Sequence, residues 1–203
     1  MESVHAEERH GLKIKIFQDD SAESPDSWGD DALFLVHYHR DFEVCRDKVV
    51  ARDTIAALYR GEKSEAVREL KKKYHVFSVA TLIHSGVWLR LGSGGFQEDS
   101  GGWDTSHVGA ALVSKKEFKS RGKAGKAAES LIKEWNDYLS GNVYGYTVKD
   151  AESNNLDSCW GFFGDYNAPG GALSEAQSLA DSLTHKGGTD EKGQHLMPFL
   201  AVA

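Results

Sequence analysis

The sequence predicts an α+β protein, a largely antiparallel sheet with two or three helices packed on it in a single domain. Three observations carry this. Segments of apolar periodicity follow one another in the order β-β-α-β-β-β-α-β-β-α. Neighbouring strands are joined by short connections, as sequential antiparallel strands are. The regular strand–helix alternation of a doubly wound fold is absent. A chain of 203 residues with 40% hydrophobic content and only three prolines fits one substantial core, with no linker between domains. A chain of this size buries roughly 70% of its unfolded surface.

In chain order, Leu12, Ile14 and Ile16 alternate with Lys13 and Lys15, the period-two mark of a half-buried strand. Residues 1–10 before it are expected to be peripheral or flexible. Ala32 to His39, apolar on both faces, reads as a central strand. Asp53 to Tyr74 reads as helix interrupted at Gly61, with Lys71, Lys72 and Lys73 complementing the dipole at its C-terminal end. Val76 to Ile83 and Val87 to Leu91 form two strands joined at His84-Ser85-Gly86, the glycine supplying a positive φ. A Gly-rich loop leads to the strand Val108 to Ser114, where Gly109, Ala110 and Ala111 leave room for close packing. Ser114 and Glu117 fit a capping box ahead of a helix with an apolar stripe through Ala124, Ala128, Leu131, Trp135 and Tyr138. Val143 to Lys149 and Ser158 to Phe163 read as an antiparallel pair. Ser174 and Gln177 open a last helix that stops at Gly187, and residues 184–203 are expected to be peripheral.

Composition excludes several classes of function. No apolar run approaches the length that spans a bilayer, and the N-terminus lacks the apolar core of a secretory signal. With only Cys45 and Cys159, neither a disulfide framework nor a thiolate-rich zinc site is expected. Net charge −7 opposes non-specific nucleic-acid binding. The charge is segregated, however. Asp19, Asp20, Glu23, Asp26, Asp30 and Asp31 carry six acids without a base, whereas Lys115 to Lys126 is strongly basic. Solvated faces explain both runs; a sharper reading gives the molecule an acidic and a basic pole for different partners.

The densest chemistry lies in Asp99 to Ser114, DSGGWDTSHVGAALVS. Ser100 and Ser106 stand in or beside Gly-bearing turns, with Asp99, Asp104, His84 and His107 as possible bases and orienters. A small hydrolase or nucleotide-processing enzyme would need at least three of those four side chains to converge. A nucleotide-binding module in the same loop is a further alternative. Neither a nucleophile-elbow nor a phosphate-loop motif is present, and Asp and Ser also build turns without catalysis. His37 and His39 share a strand face but lack a recognisable metal signature. No metal, cofactor or catalytic residue is therefore assigned. Trp103, in a loop between glycine and acid, reads as either a lid over a core or an interface anchor. The candidate binding residues are Trp103, Asp104 and His107, together with Asp19, Asp20, Asp26, Asp30 and Asp31 of the acidic run. In DSCWGFFGD (Asp157 to Asp165) Cys159 stands among aromatics, which predicts an inert buried thiol in a core strand.

WDTSHVGAALVSKKE (Trp103 to Glu117), YLSGNVYGY (Tyr138 to Tyr146) and DSCWGFFGD carry a resemblance. The chain resembles a group of small proteins encoded by bacteriophages and other bacterial mobile elements. These share W-D-[ST]-x-x-V-G-x-x-x-x-[ST]-K, a helix ending in [FY]-L-x-G-x-[VW]-[WY]-[GT]-[FY], and D-S-C-W-G-[FY]-[FY]-G. The likeness spans His75 to Asp165, and no activity, cofactor or catalytic residue transfers with it. It implies a cytoplasmic accessory protein inside a bacterial host. The expected function is non-enzymatic inhibition of a defence system, CRISPR–Cas or another anti-phage nuclease complex, by binding one of its components. Direct nucleic-acid contact is not expected overall, with Lys115 to Lys126 the exception to watch.

Overall fold

A computed structural model describes residues 2–28, 32–45 and 50–186. The architecture is α+β; among the described residues every strand pairs antiparallel, and nine strands distribute over two sheets. The chain forms two compact units, one from Met1–Ala22 with Gly141–Ala203 and one from Glu23–Ser140. No helix among the described residues is long and apolar enough to cross a membrane.

In the Glu23–Ser140 unit the strands are β3 (Leu33–His39), β4 (Phe42–Cys45), β5 (Tyr74–Ile83), β6 (Val87–Leu91) and β7 (Thr105–Ser114), ordered β4-β3-β7-β5-β6. Helices cover both faces. Phe34, Val36, Ala110 and Leu112 pack with Ile55 of α1 (Arg52–Tyr59) and Leu70 of α2 (Glu65–Lys73). On the other face Leu35, Ala111 and Val113 pack under Ala124, Ala128, Leu131 and Trp135 of α3 (Arg121–Leu139). Double coverage is why β3 and the end of β7 are apolar at both parities. Gly61, at φ 71°, divides α1 from α2. The Glu62 N–H bonds the Ala57 carbonyl and the Gly61 N–H bonds that of Leu58, the six-to-one and five-to-two pattern that ends a helix on a left-handed residue. Ser64 then caps α2 by accepting from the Val67 N–H at 3.3 Å.

Two local expectations are corrected. In the β5–β6 turn the positive φ falls on Ser85 (52°), not on Gly86. Ser114 does not begin a capping box. Its Oγ accepts from the Lys116 N–H and its carbonyl from the Phe118 N–H, closing a turn, and α3 starts only at Arg121.

The other unit carries β1 (Ser3–Arg9), β2 (Leu12–Gln18), β8 (Val143–Lys149) and β9 (Asn155–Phe163), in the order β1-β2-β8-β9. One face packs on α4 (Ala172–Lys186), where Ile14, Ile16, Tyr146 and Val148 meet Ala172, Ala176 and Ala180. The alanines let the helix lie close to the sheet. Residues 3–9, expected to be peripheral, form an edge strand that meets α4 through polar contacts. Gln177 donates to Glu7, and Arg9 makes a bidentate pair with Asp181 at 2.6 and 2.8 Å, joined by His10 at 2.9 Å. The Arg9 hydrogen bonds hold the Asp181 carboxyl at about 2. A depressed carboxylate stabilises the fold above its unfolded pKa and loses that contribution as pH falls through the folded one. The stability difference between the native protein and Asp181→Asn is therefore expected to be full above about pH 4 and to shrink toward pH 2, read by thermal unfolding across that range.

β9 corrects a further expectation. It is the sheet's outer edge, and Asn155 to Trp160 are exposed, Cys159 included. An aromatic-rich stretch reads as core by composition alone, but at this outer edge only its C-terminal end turns inward, where Phe162 packs against the core under α4. Trp160 lies across Gly145, where an added Cβ would come within 2.2 Å of the indole, and its ring centroid is 6.1 Å from that of Phe17. The stop at Gly187 and the residues after it lie outside the described residues.

Candidate functional site

The chemistry-bearing loop is built by Asp99. Its Oδ1 accepts from the Trp103 N–H (3.0 Å), and its Oδ2 accepts from the Asp104 N–H (3.0 Å) and the Thr105 hydroxyl (2.7 Å). These bonds, led by the one from Thr105, hold the Asp99 carboxyl below the usual carboxylate range. The carboxylate is fully engaged in folding the loop back onto β7, as Asp does in turns. Asp104 turns the other way: its Oδ2 lies 3.1 Å from His84 Nδ1, and its carbonyl accepts from the Ile83 N–H. The loop is thereby tied to the end of the β5–β6 hairpin.

His107 does not join them. It is half-buried against Tyr59 of α1, with ring centroids 5.9 Å apart. Its Nδ1 and the Ser106 Oγ are enclosed and make no hydrogen bond. The reason is a register shift between Val79 and Thr81 in the β5–β7 ladder. Tyr59 plugs this bulge, its hydroxyl accepting from the Val79 N–H (3.0 Å) and donating to the Gly109 carbonyl (2.5 Å). The bulge re-aims the side chains at the start of β7. Of His84, Asp99, Asp104 and His107, only His84 and Asp104 meet side chain to side chain, so the convergence that the enzyme reading requires is not formed. Of the three candidate binding residues here, Trp103 and Asp104 are exposed and His107 is half-buried.

A base-and-hydroxyl pair is formed elsewhere in the sheet. His37, fully buried on β3, donates from Nδ1 to the Phe42 carbonyl (2.8 Å) and accepts at Nε2 from the Thr81 hydroxyl (2.5 Å). The carbonyl fixes the tautomer. Burial pushes the His37 pKa down to about 4, so the ring is neutral near pH 7. Thr81 is also fully buried, so its oxygen is closed to any substrate, and the pair is a structural strut. Gly109 lies beneath the ring; an added Cβ there would come within 2.5 Å of His37 Cδ2 and 3.1 Å of the Val36 carbonyl. Gly109→Ala is expected to cost about 1–3 kcal/mol through overpacking, measured by urea unfolding. His39 pairs loosely with Asp41, and His75 faces the Phe118 carbonyl. Among the described residues, no three His, Cys, Asp or Glu side chains assemble a metal-binding group.

What the fold displays is aromatic. Trp103 is 89% exposed and Trp88 48%. Thr105 stands opposite Leu82, and Leu82 opposite Trp88, so Trp88 lies about 10 Å across two strand spacings from the foot of the Trp103 loop. Between hairpin and loop runs a groove of about 480 Å³ lined by Leu82, Trp88, Leu89, Arg90, Phe96 and Glu98. Arg90 shapes it, its guanidinium 5.1 Å from the Phe96 ring centroid and Nη2 donating to the Gly95 carbonyl at 2.5 Å. The alternating pattern of β6 contains Trp88 and Arg90 as outward residues, but their closure into a groove by Phe96 and Glu98 depends on a loop path that no periodicity encodes.

The acidic run is divided between the two units. Asp19 and Asp20 belong to the unit built on β2, Glu23 and Asp26 to the other. Asp19 caps its own turn by accepting from the Ser21 N–H, and Asp26 is half-buried in the 3-10 turn Pro25–Trp28. Asp30 and Asp31 lie outside the described residues.

Comparison with protein-family models, with curated proteins and with solved structures finds no match to this chain.

Proposed function

We propose that this chain is a non-enzymatic binding protein that docks a partner protein through the exposed Trp103 and through the groove that Trp88 lines. The observation that carries the reading is the 89% exposure of Trp103 on a loop whose conformation is fixed by three hydrogen bonds to Asp99. A large apolar ring held in water by a pre-formed loop has desolvation to gain and little ordering entropy to lose on binding. The groove lined by Trp88 is apolar with one cation and one carboxylate at its lining, the composition of an anchor pocket with a polar rim. The residues that would serve catalysis support the same reading. Asp99 is consumed by the loop, Asp104 by His84, and His37 and Thr81 by the core.

The resemblance to phage and mobile-element proteins supplies the partner class: a component of a bacterial defence system, such as a CRISPR–Cas effector or another anti-phage nuclease complex. On that reading, the protein inhibits by occupying a surface of the target. The test is to express the chain with each candidate defence system in a bacterium, score restored plaque formation, and measure binding of the purified pair. Restored plaquing abolished by the Trp88 and Trp103 substitutions supports the proposal. Restored plaquing that survives both substitutions contradicts the assignment of Trp103 and the groove.

A further inference from the structure

The fold joins two basic segments that are separate in sequence. α2 ends in Lys71, Lys72 and Lys73, and a run from 115 to 126 carries six further cations. The Lys115 N–H bonds the Lys73 carbonyl at 2.9 Å, and Lys115 Nζ donates to the Lys71 carbonyl at 2.5 Å. Further along, Arg121 lies over the Phe77 ring at 4.6 Å, beside the start of β5. The two segments therefore meet at the end of the β5–β7 pair and form a basic rim there, with α2 on one face of the sheet and α3 on the other. All nine cations are exposed. Among the described residues, the acids within these segments and beside them include Glu69, which is paired to Lys72 at 2.5 Å, Glu117, and the exposed Glu129 one helical turn beyond Lys126.

We infer that this rim binds the phosphate backbone of a double-stranded nucleic acid, independently of base sequence. Three features select that partner. First, the cations are all exposed and almost all lysines, which bind phosphate as mobile point charges. Second, the N-terminal turn of α3 rises within the rim and receives no side-chain cap from Ser120, so its free N–H groups add to the field that the lysines make. Third, the exposed large hydrophobics of the described residues are Val4, Trp88, Trp103, Leu156 and Trp160, none of them in these segments. Without a stacking platform, single strands lose the contact that usually holds them, which favours a duplex read by its backbone. The net charge of −7 does not oppose this locally, because charges farther than about 8 Å are largely screened at physiological salt. The segregation of charge thus becomes a division of labour: the aromatic groove for a protein partner, the lysine rim for phosphate.

The test is fluorescence anisotropy with the full chain and labelled duplexes of about 20 base pairs, DNA and RNA in separate arms, from low to physiological salt. Binding to at least one duplex is expected, with log K falling against log salt at a slope of about −4 as four or more phosphates are neutralised. The triple variant Lys116→Glu/Lys119→Glu/Lys123→Glu is expected to weaken binding at least tenfold and to flatten the slope. The neutral Lys→Gln version at the same sites serves as a milder variant, and circular dichroism confirms that both fold. Trp88→Ala/Trp103→Ala is expected to bind duplex like the native chain, which separates this inference from the protein-docking proposal. Failure to bind either duplex at low salt overturns it, as does undiminished binding by the triple variant. Equal or tighter binding of polyglutamate would instead assign the rim to an acidic protein and also overturn it.

Discussion

Replacing His37 with alanine is expected to destabilise the Glu23–Ser140 unit by about 3–5 kcal/mol, through a cavity and two stranded polar groups. The ring is fully buried, packs 4.9 Å from Phe42 and fills the space over Gly109. Removing it leaves the Thr81 hydroxyl and the Phe42 carbonyl without the partner that each has now. The pH dependence gives an independent signature. Burial lowers the His37 pKa to about 4 from an ordinary 6.5, so the unfolded chain takes up the proton first as pH falls. Stability from this group is complete above about pH 6.5 and declines steadily down to about pH 4, a total of about 3 kcal/mol. Urea unfolding at pH 7 and at pH 4.5 should show this loss in the native protein and not in His37→Ala. A variant as stable as the native protein at pH 7 would show that the strut contributes little.

The tryptophan pair should behave in the opposite way. Trp103→Ala is expected to change stability by no more than about 0.5 kcal/mol, because a side chain this exposed removes little area from water. In the complex the same change, and Trp88→Ala, should each weaken binding at least about 30-fold, or about 2 kcal/mol, as buried aromatic anchors do. The loop predicts a second route to the same loss. Asp99→Ala removes the acceptor for three donors, so it should weaken binding with Trp103 intact. Titration calorimetry with a purified partner measures both.

Much of this fold was legible in the chain. β2, β3, β5, β6 and β8 follow from alternation or from apolar runs, and the break at Gly61 follows from the left-handed conformation that glycine allows. β1 was not legible. The side chains it turns toward α4, His5, Glu7 and Arg9, are polar and are held by Gln177, Tyr166 and Asp181, some 160 to 170 residues away in sequence. A strand whose buried face is polar leaves no hydrophobic period to find. β4, four residues long, is too short to show one. Cys159 and Trp160 misled by composition, because an edge strand exposes residues that a central strand would bury.

The candidate site divides in the same manner. The display of Trp103 was readable from its flanking glycines and acid, and the turn-building role of Asp99 from its position in DSGG. His107 was not separable from Asp104 in sequence, since only the bulge opposite Val79 to Thr81 turns one away from the other. The union of Lys71–Lys73 with the run from 115 to 126 depends on the pairing of β5 with β7, a long-range contact that charge counting along the chain cannot see.

The decisive measurement is the affinity of the purified protein for a partner protein isolated from a bacterial lysate, compared among the native chain, Trp88→Ala/Trp103→Ala, and the lysine triple variant. The account predicts that the tryptophan double variant loses binding at least about 30-fold while the lysine variant keeps that protein contact. Retention of native affinity by the double tryptophan variant would contradict it.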